Sequence, residues 1–251
     1  MSTKLVNYYA EFVKEADNHV ATLRHLLRSV EDGSYSSRVA KPNPNHILKF
    51  TVNKADTTAA VTKQEINKSF KALIGSFIDY LDKLIANIKV VDDGGILISR
   101  QLNGEEEILR YVEDYIKKYI QKVAEDRSLS QPQKVLMFSG LSDFSKEAAN
   151  GYFIIRNCLE HHKGIPNKEF SLIYRAQKIL IDGTSEVNVL PTILQNGQSI
   201  GIRFDDSKKV FKIGEPIEIR EQELDDVLFT LKAVICPEIL RIAESKLALQ
   251  A

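Results

Sequence analysis

The chain has 251 residues, 43% of them hydrophobic and 27% charged, a balance that excludes a disordered or fibrous protein and fits a globular one. That length can bury a sizeable core, as one large domain or one domain with an appended piece. The 34 Lys and Arg residues equal the 34 Asp and Glu residues, so any nucleic-acid binding has to come from a local cluster rather than from net charge.

Cys158 and Cys236 lie far apart and form no Cys-x-x-Cys spacing. This argues against a disulfide framework or a thiolate zinc site, and for a reducing compartment. The first residues lack the apolar core of a signal peptide, and no apolar run is long enough to span a bilayer. A cytoplasmic protein without a membrane segment is the expectation.

In chain order, residues 3–30 place Leu5, Tyr8, Tyr9, Phe12, Val13, Ala16, Val20, Leu23, Leu27 and Val30 at helical spacing, and Gly33 suits the left-handed position that ends such a helix. Residues 34–45 are polar, carry Pro42 and Pro44, and read as a loop. Residues 46–52 read as a short strand, so that 34–60 forms a loop-and-strand insertion. Thr62 and Glu65 match a capping box, and a stripe from Ile66 through Phe70, Phe77 and Leu84 to Ile88 predicts a second helix behind it. A third helix, over 105–124, turns Ile108, Tyr111, Val112, Tyr115, Tyr119, Ile120 and Val123 inward, and its charged outer face reads as a solvated one.

A short helix over 130–138 breaks near Gly140, and the next starts near Ser142. It carries Phe144, Ala148, Phe153, Ile154 and Leu159 before Gly164 and Pro166 stop it. Beyond Pro166 the texture changes, and 168–220 reads as a β-rich insertion. Residues 199–204 and 209–213 look like two strands of a hairpin turning at Asp205-Asp206-Ser207, and 216–219 offers a further strand. A final helix over 221–249 returns to the bundle, kinked or divided by Pro237. The fold class is therefore mainly α: a helical bundle with a small β-hairpin or sheet insertion before the last helix.

The chemically loaded run is Arg156-Asn157-Cys158-Leu159-Glu160-His161. His161 suits proton transfer near neutral pH, and Arg156 offers a planar, permanently charged fork to phosphate oxygens. Asn157 and His161 are four residues apart and share a helix face, which lets the amide orient the imidazole. Arg156 and His161 are five apart and do not share one face. The plain alternative for Arg156 is an ion pair with Glu160, one turn on. His162 reads either as an accessory proton-transfer group or as a residue favoured at a helix C-terminus by the dipole. Cys158 reads as a small core residue. Adjacent histidines point apart on a helix, so no metal site is expected. Lys163, Lys168, Arg175 and Lys178 follow closely and read either as a phosphate-tracking groove or as ordinary surface cations.

The run Phe153-Ile154-Ile155-Arg156-Asn157 through His161-His162-Lys163-Gly164-Ile165-Pro166 resembles the HEPN superfamily, whose helical domains carry an Arg, a polar residue and a following His near a helix end. The resemblance covers roughly a dozen residues plus the helical layout of most of the chain. It implies one HEPN-like domain over 1–251 and a metal-independent endoribonuclease without cofactors. Cleavage then proceeds by 2′-hydroxyl attack, with Arg156, Asn157 and His161 at the site. It also implies a homodimer that joins two motifs in a shared cleft, a toxin or antiviral-defence setting, and an antitoxin or regulatory partner. The chain exceeds a minimal HEPN ribonuclease, which keeps open a catalytically silent module that binds RNA or protein.

Overall fold

The computed structural model describes residues 2–32, 54–93, 104–181, 185–187 and 200–248. Its helices are α1 (Ser2–Glu31), α2 (Lys54–Asp92), α3 (Glu105–Glu125), α4 (Gln131–Leu136), α5 (Asp143–His161), α6 (Glu221–Thr230) and α7 (Cys236–Ala248), with a π turn, Leu231–Ile235, between the last two. The strands β1 (Phe170–Ile181), β2 (Ser185–Val187) and β3 (Ile200–Phe211) form one antiparallel sheet in the order β2-β1-β3. The protein is thus mainly helical with a small sheet before its last helices, as the apolar periodicities predict.

The shaft of the fold is α2. Its 39 residues span roughly 58 Å at about 1.5 Å per residue. Between Leu73 and Val90 it buries Ile74, Phe77, Ile78, Tyr80, Leu81, Leu84, Ile85 and Ile88, apolar groups on more than one face. This follows from its being packed by α1, α3, α4, α5, α6 and α7. On α1, Leu5, Tyr8, Phe12, Ala16, Val20, Leu23 and Leu27 of the stripe that spacing predicts are buried, and Tyr9, Val13 and Val30 at its edge are half-buried. Phe77 of α2 stacks on Phe153 of α5 with ring centroids 5.8 Å apart, a pair that fixes the helix bearing the loaded run.

Four readings of the sequence are corrected. The Thr62–Glu65 capping box lies inside α2, which begins two turns earlier at Lys54, so residues 54–60 are helix rather than insertion. Residues 33–53, where the loop and strand are expected, lie outside the described residues. On α3 the buried residues are Ile116 and Val123, while Ile108 is exposed and the tyrosines are half-buried, because α2 alone covers much of this helix. The predicted hairpin is a single twelve-residue strand, β3, running straight through Asp205-Asp206-Ser207 and pairing with β1 along its full length, Phe170 opposite Phe211 and Ile181 opposite Ile200. The two acids do not need a turn. Asp206 faces Arg175 across the ladder and accepts its Nε–H at 2.8 Å, and Asp205 takes Lys178 at 3.2 Å and Arg203 at 2.9 Å. The segment 216–219 is irregular, with Ile217 and Ile219 buried.

Pro237 divides the final helix by a definable route. It has no N–H for the carbonyl of Ala233 and its ring crowds that carbonyl. The preceding turn widens, and the Cys236 N–H reaches back to Leu231 O in place of Lys232 O. The Lys232 carbonyl so released accepts the Tyr9 hydroxyl at 2.7 Å. Tyr80 donates to Cys236 O at 3.1 Å, so α1 and α2 each hold the π turn with one tyrosine.

The N-terminus of α5 is anchored to α7. Glu238 accepts the Ser142 backbone N–H at 2.6 Å, and the hydroxyls of Ser142 and Ser145 at 3.0 and 2.5 Å. Farther along, Gly151 meets β1 so closely that a Cβ there would collide with the carbonyl oxygen of Ser171. Tyr152 next to it is fully buried and donates to Ile173 O at 2.8 Å.

Gly151→Ala therefore forces α5 and β1 apart and should cost about 1–3 kcal/mol in urea unfolding. Gly75→Ala, in α2 with no atom within 4 Å of the new methyl, should instead stabilise by about 0.4–1 kcal/mol. Burial works to raise the Glu238 carboxyl, but the Ser145 and Ser142 donors outweigh it and hold it below the usual carboxylate range. A depressed folded-state pKa gives stability that is present above the unfolded value and lost as pH falls through the folded one. Glu238→Gln should therefore flatten the acid side of a melting-temperature profile below about pH 4.3.

Candidate active site

Why α5 ends where it does is visible in its last turn. The Cys158 carbonyl accepts both the His162 and the Gly164 N–H at 3.0 Å, and Gly164 adopts φ 73°, the left-handed residue of a helix C-cap. Lys163 before it is also left-handed, with φ 53°, and is the one non-glycine residue with positive φ among the described residues. The chain is then tied to 212–217, through Ile217 N–H to Gly164 O at 2.8 Å and Gly214 N–H to Pro166 O at 3.0 Å. The end of α5 is thus braced by the segment that follows β3.

This places the loaded run on a fixed, outward-facing helix end. The Cys158 side chain enters the core, and burial pushes its thiol up, away from reactivity. Cys236 is likewise buried and free. Arg156 is half-buried, its side chain 23% exposed, and its Nε lies 3.2 Å from Glu160 Oε1. The contact is an ion pair without hydrogen-bond alignment, so the Nε–H is left without an acceptor among the described residues. On the other side Glu160 Oε2 stands 3.9 Å from His161 Nε2, and the His161 side chain is 70% exposed. Arg156 and His161 leave the helix in different directions, yet one carboxylate touches both.

The surroundings of Arg156 extend to α2. Burial raises the carboxyl of Asp79 and the nearby Glu15 adds to this, while Lys83, Arg156 and Lys134 pull it back. Arg156 therefore sits in the field of two acids, Glu160 on its own helix and Asp79 across the helix pair. Next to Asp79, the Lys134–Asp82 ion pair at 2.6 Å is almost completely buried and joins α4 to α2.

The remaining expected site residues separate into groups. Asn157 and His162 are exposed on α5 and at its cap. His161 lies beside Glu160, and no hydrogen bond joins Asn157 to His161 among the described residues. Lys163 and Lys168 are exposed beyond the helix. Lys168 lines a groove of about 320 Å³ along α5 and β1 with Glu147, Asn150 and Lys208, which stops short of Arg156, Asn157 and His161. Arg175 and Lys178 are not free surface cations. Arg175 lies over the Phe144 ring at 4.9 Å and binds Asp206, and Lys178 binds Asp205. The basic cluster that follows the motif in sequence is therefore split between two exposed lysines and two cations engaged across the sheet.

Sequence reasoning reached Glu160 through its four-residue spacing from Arg156 but not its second contact, with His161. Asp79 was beyond its reach, since only the packing of α5 on α2 brings it close. Among the described residues no cluster of His, Cys, Asp and Glu has the makings of a metal site, and no helix is long and apolar enough to cross a membrane. Compared with family models, curated proteins and solved structures, the chain matches none.

Replacing Lys163 separates backbone from charge. Lys163→Gly relieves the left-handed strain and should stabilise the fold by about 1 kcal/mol in chemical denaturation. If Lys163 also touches nucleic acid, the same variant binds RNA more weakly in a filter-binding assay while melting at a higher temperature.

Proposed function

We propose that the chain is a metal-independent endoribonuclease of the HEPN type, acting as a homodimer. The observation that carries this reading is the carboxylate of Glu160, which spans the Arg156 guanidinium and the His161 imidazole and marks out a place for an anion between them. A scissile phosphate that displaces Glu160 would meet the same two groups. Arg156 then stabilises the charge that builds on the non-bridging oxygens. His161 takes the proton from the ribose 2′-hydroxyl as the 2′-oxygen bonds to phosphorus. The bond from phosphorus to the 5′-oxygen breaks, and that oxygen is protonated as it leaves. The products are a 2′,3′-cyclic phosphate and a 5′-hydroxyl, with no metal required.

Base and acid are two roles, and each copy of α5 supplies one His161. A second copy facing the first across the exposed helix end provides the other. Asn157 and His162, both exposed beside it, would then face the partner copy, and the exposed Lys163 and Lys168 would receive the flanking phosphates. A toxin or antiviral-defence role follows from the motif's resemblance alone, as does an antitoxin or other regulatory partner. A cytoplasmic setting fits the reduced, buried cysteines.

The Arg156–Glu160 ion pair also favours a second reading, a silent module in which Arg156 is structural and the surface binds RNA or protein. Cleavage of total cellular RNA in the presence of a chelator distinguishes them. Wild type should cleave, and Arg156→Ala and His161→Ala should each lose about 100-fold or more while remaining folded by circular dichroism. Glu160→Gln should keep activity and bind RNA more tightly, since the competing carboxylate charge is gone. Equal cleavage by all variants, or none by a wild type that is dimeric by light scattering, would overturn the nuclease reading.

A further inference from the structure

A second feature has no part in that reading. Between α1, the far end of β1, and α6 with its π turn lies a cavity of about 580 Å³, within the range that holds a small organic molecule and larger than the groove beside α5. None of its lining residues belongs to α5. Its apolar side includes Ile179, Leu228 and Phe229, with Phe229 held flat against Phe204 of β3 at 5.1 Å and 3° between the rings. Two adjacent acids of α6, Asp225 and Asp226, supply the charge.

The cations at this cavity are already engaged. Arg24 gives its Nη2 to Asp225 Oδ2 at 2.7 Å and leans toward Glu221 at 4.0 Å. Lys232 holds both oxygens of Asp17 at 2.7 and 2.8 Å, outside the lining. What remains is a demand for donors. Asp225 Oδ1 is buried with no hydrogen-bond donor among the described residues. Asp226 is 95% buried, receives only two long contacts of 3.4 Å from Gln177 N and Gln222 Nε2, and has no cation against it among the described residues. Burial pushes its carboxyl up, with Asp225 and Glu223 adding to the effect, and both are costs that a positive charge in the cavity would offset. Two carboxylates without further ligands do not make a metal site, and the apolar wall has no use in one.

We propose that this cavity binds a small organic cation, a protonated amine on an apolar body, with its N–H groups toward the Asp226 carboxylate, the uncompensated charge of Asp225 beside it, and its body against Leu228 and Phe229. The π turn contributes directly, because Lys232 and Ala233 of the widened turn form part of the lining. The site is independent of the nuclease reading and stands or falls separately.

Calorimetric titration of the full chain with 2-phenylethylammonium, set beside the neutral isostere 2-phenylethanol, tests this. The ammonium should bind and the alcohol should bind at least about tenfold more weakly, since hydrogen bonds between charged groups are stronger than those of a neutral hydroxyl. Asp226→Asn keeps the shape and removes the charge, and Ala233→Leu fills the space without touching either acid. Each should weaken the ammonium at least about tenfold while leaving the RNA-cleavage rate where it was. Equal binding of alcohol and ammonium, no binding of either, or full affinity in Ala233→Leu would each overturn the proposal. The wild-type comparison and Ala233→Leu decide the matter even if Asp226→Asn does not fold.

Discussion

The approach of α5 to the sheet is the constraint from which the candidate site follows. Gly151 lets a backbone carbonyl of β1 come where any side chain would be, and Tyr152 and Phe153 lock the two sides of that contact, one onto β1 and the other onto Phe77. A helix held at its middle by a strand and at its start by Glu238 has little freedom left at its end. Arg156 and His161 therefore project from a fixed platform, the arrangement that precise positioning of charged groups requires. The helical bundle and the small sheet are coupled through α5 and α6 together, and of the two it is α5 that carries the motif, so a defect at Gly151 is felt there.

Electrostatics then decides what the platform presents. Arg156 pairs with Glu160, so its resting partner is a carboxylate rather than solvent. An anionic substrate has to compete with that partner. The same logic recurs on β1, where Arg175 and Lys178 are neutralised by β3. Of the cations in and after the loaded run, Arg156, Arg175 and Lys178 are thus paired with acids, while Lys163 and Lys168 stay exposed.

Much of this was legible in the sequence, and the misses have physical causes. The stripes of α1 and α2 and the start of α5 near Ser142 follow from periodicity and local chemistry, so they were readable, as was the break at Pro237. The start of α2 was misplaced because Thr62 and Glu65 satisfy a local rule that a helix interior also accommodates, while Ala55, Ala59 and Ala60 before them favour helix, which begins at Lys54. Asp205-Asp206-Ser207 reads as a turn only while its partners are unknown, because the cations that make the acids welcome in a strand lie some thirty residues earlier, at Arg175 and Lys178. Ile116 was missed on α3 since the stripe was laid on the tyrosines, which are amphipathic and half-exposed. At the site, Arg156–Glu160 was readable from spacing, whereas the Asp79 field and the splitting of the basic cluster depend on contacts that no local pattern encodes.

The acids in β3 also act on the ladder itself. A strand with few fully buried side chains is weakly held against sliding along its neighbour, since little apolar area opposes a shift. In the observed pairing Arg175 stands opposite Asp206. A slide of two residues keeps every side chain on its own face but sets Arg175 opposite Lys208 in one direction and Phe204 in the other. Like charges meet, or a cation meets a ring, and the pairing is lost either way. The Asp205-Asp206 pair thus works as a detent, an electrostatic notch into which the two long strands click, and it places Phe211 and the segment that braces the end of α5 at one position along the sheet.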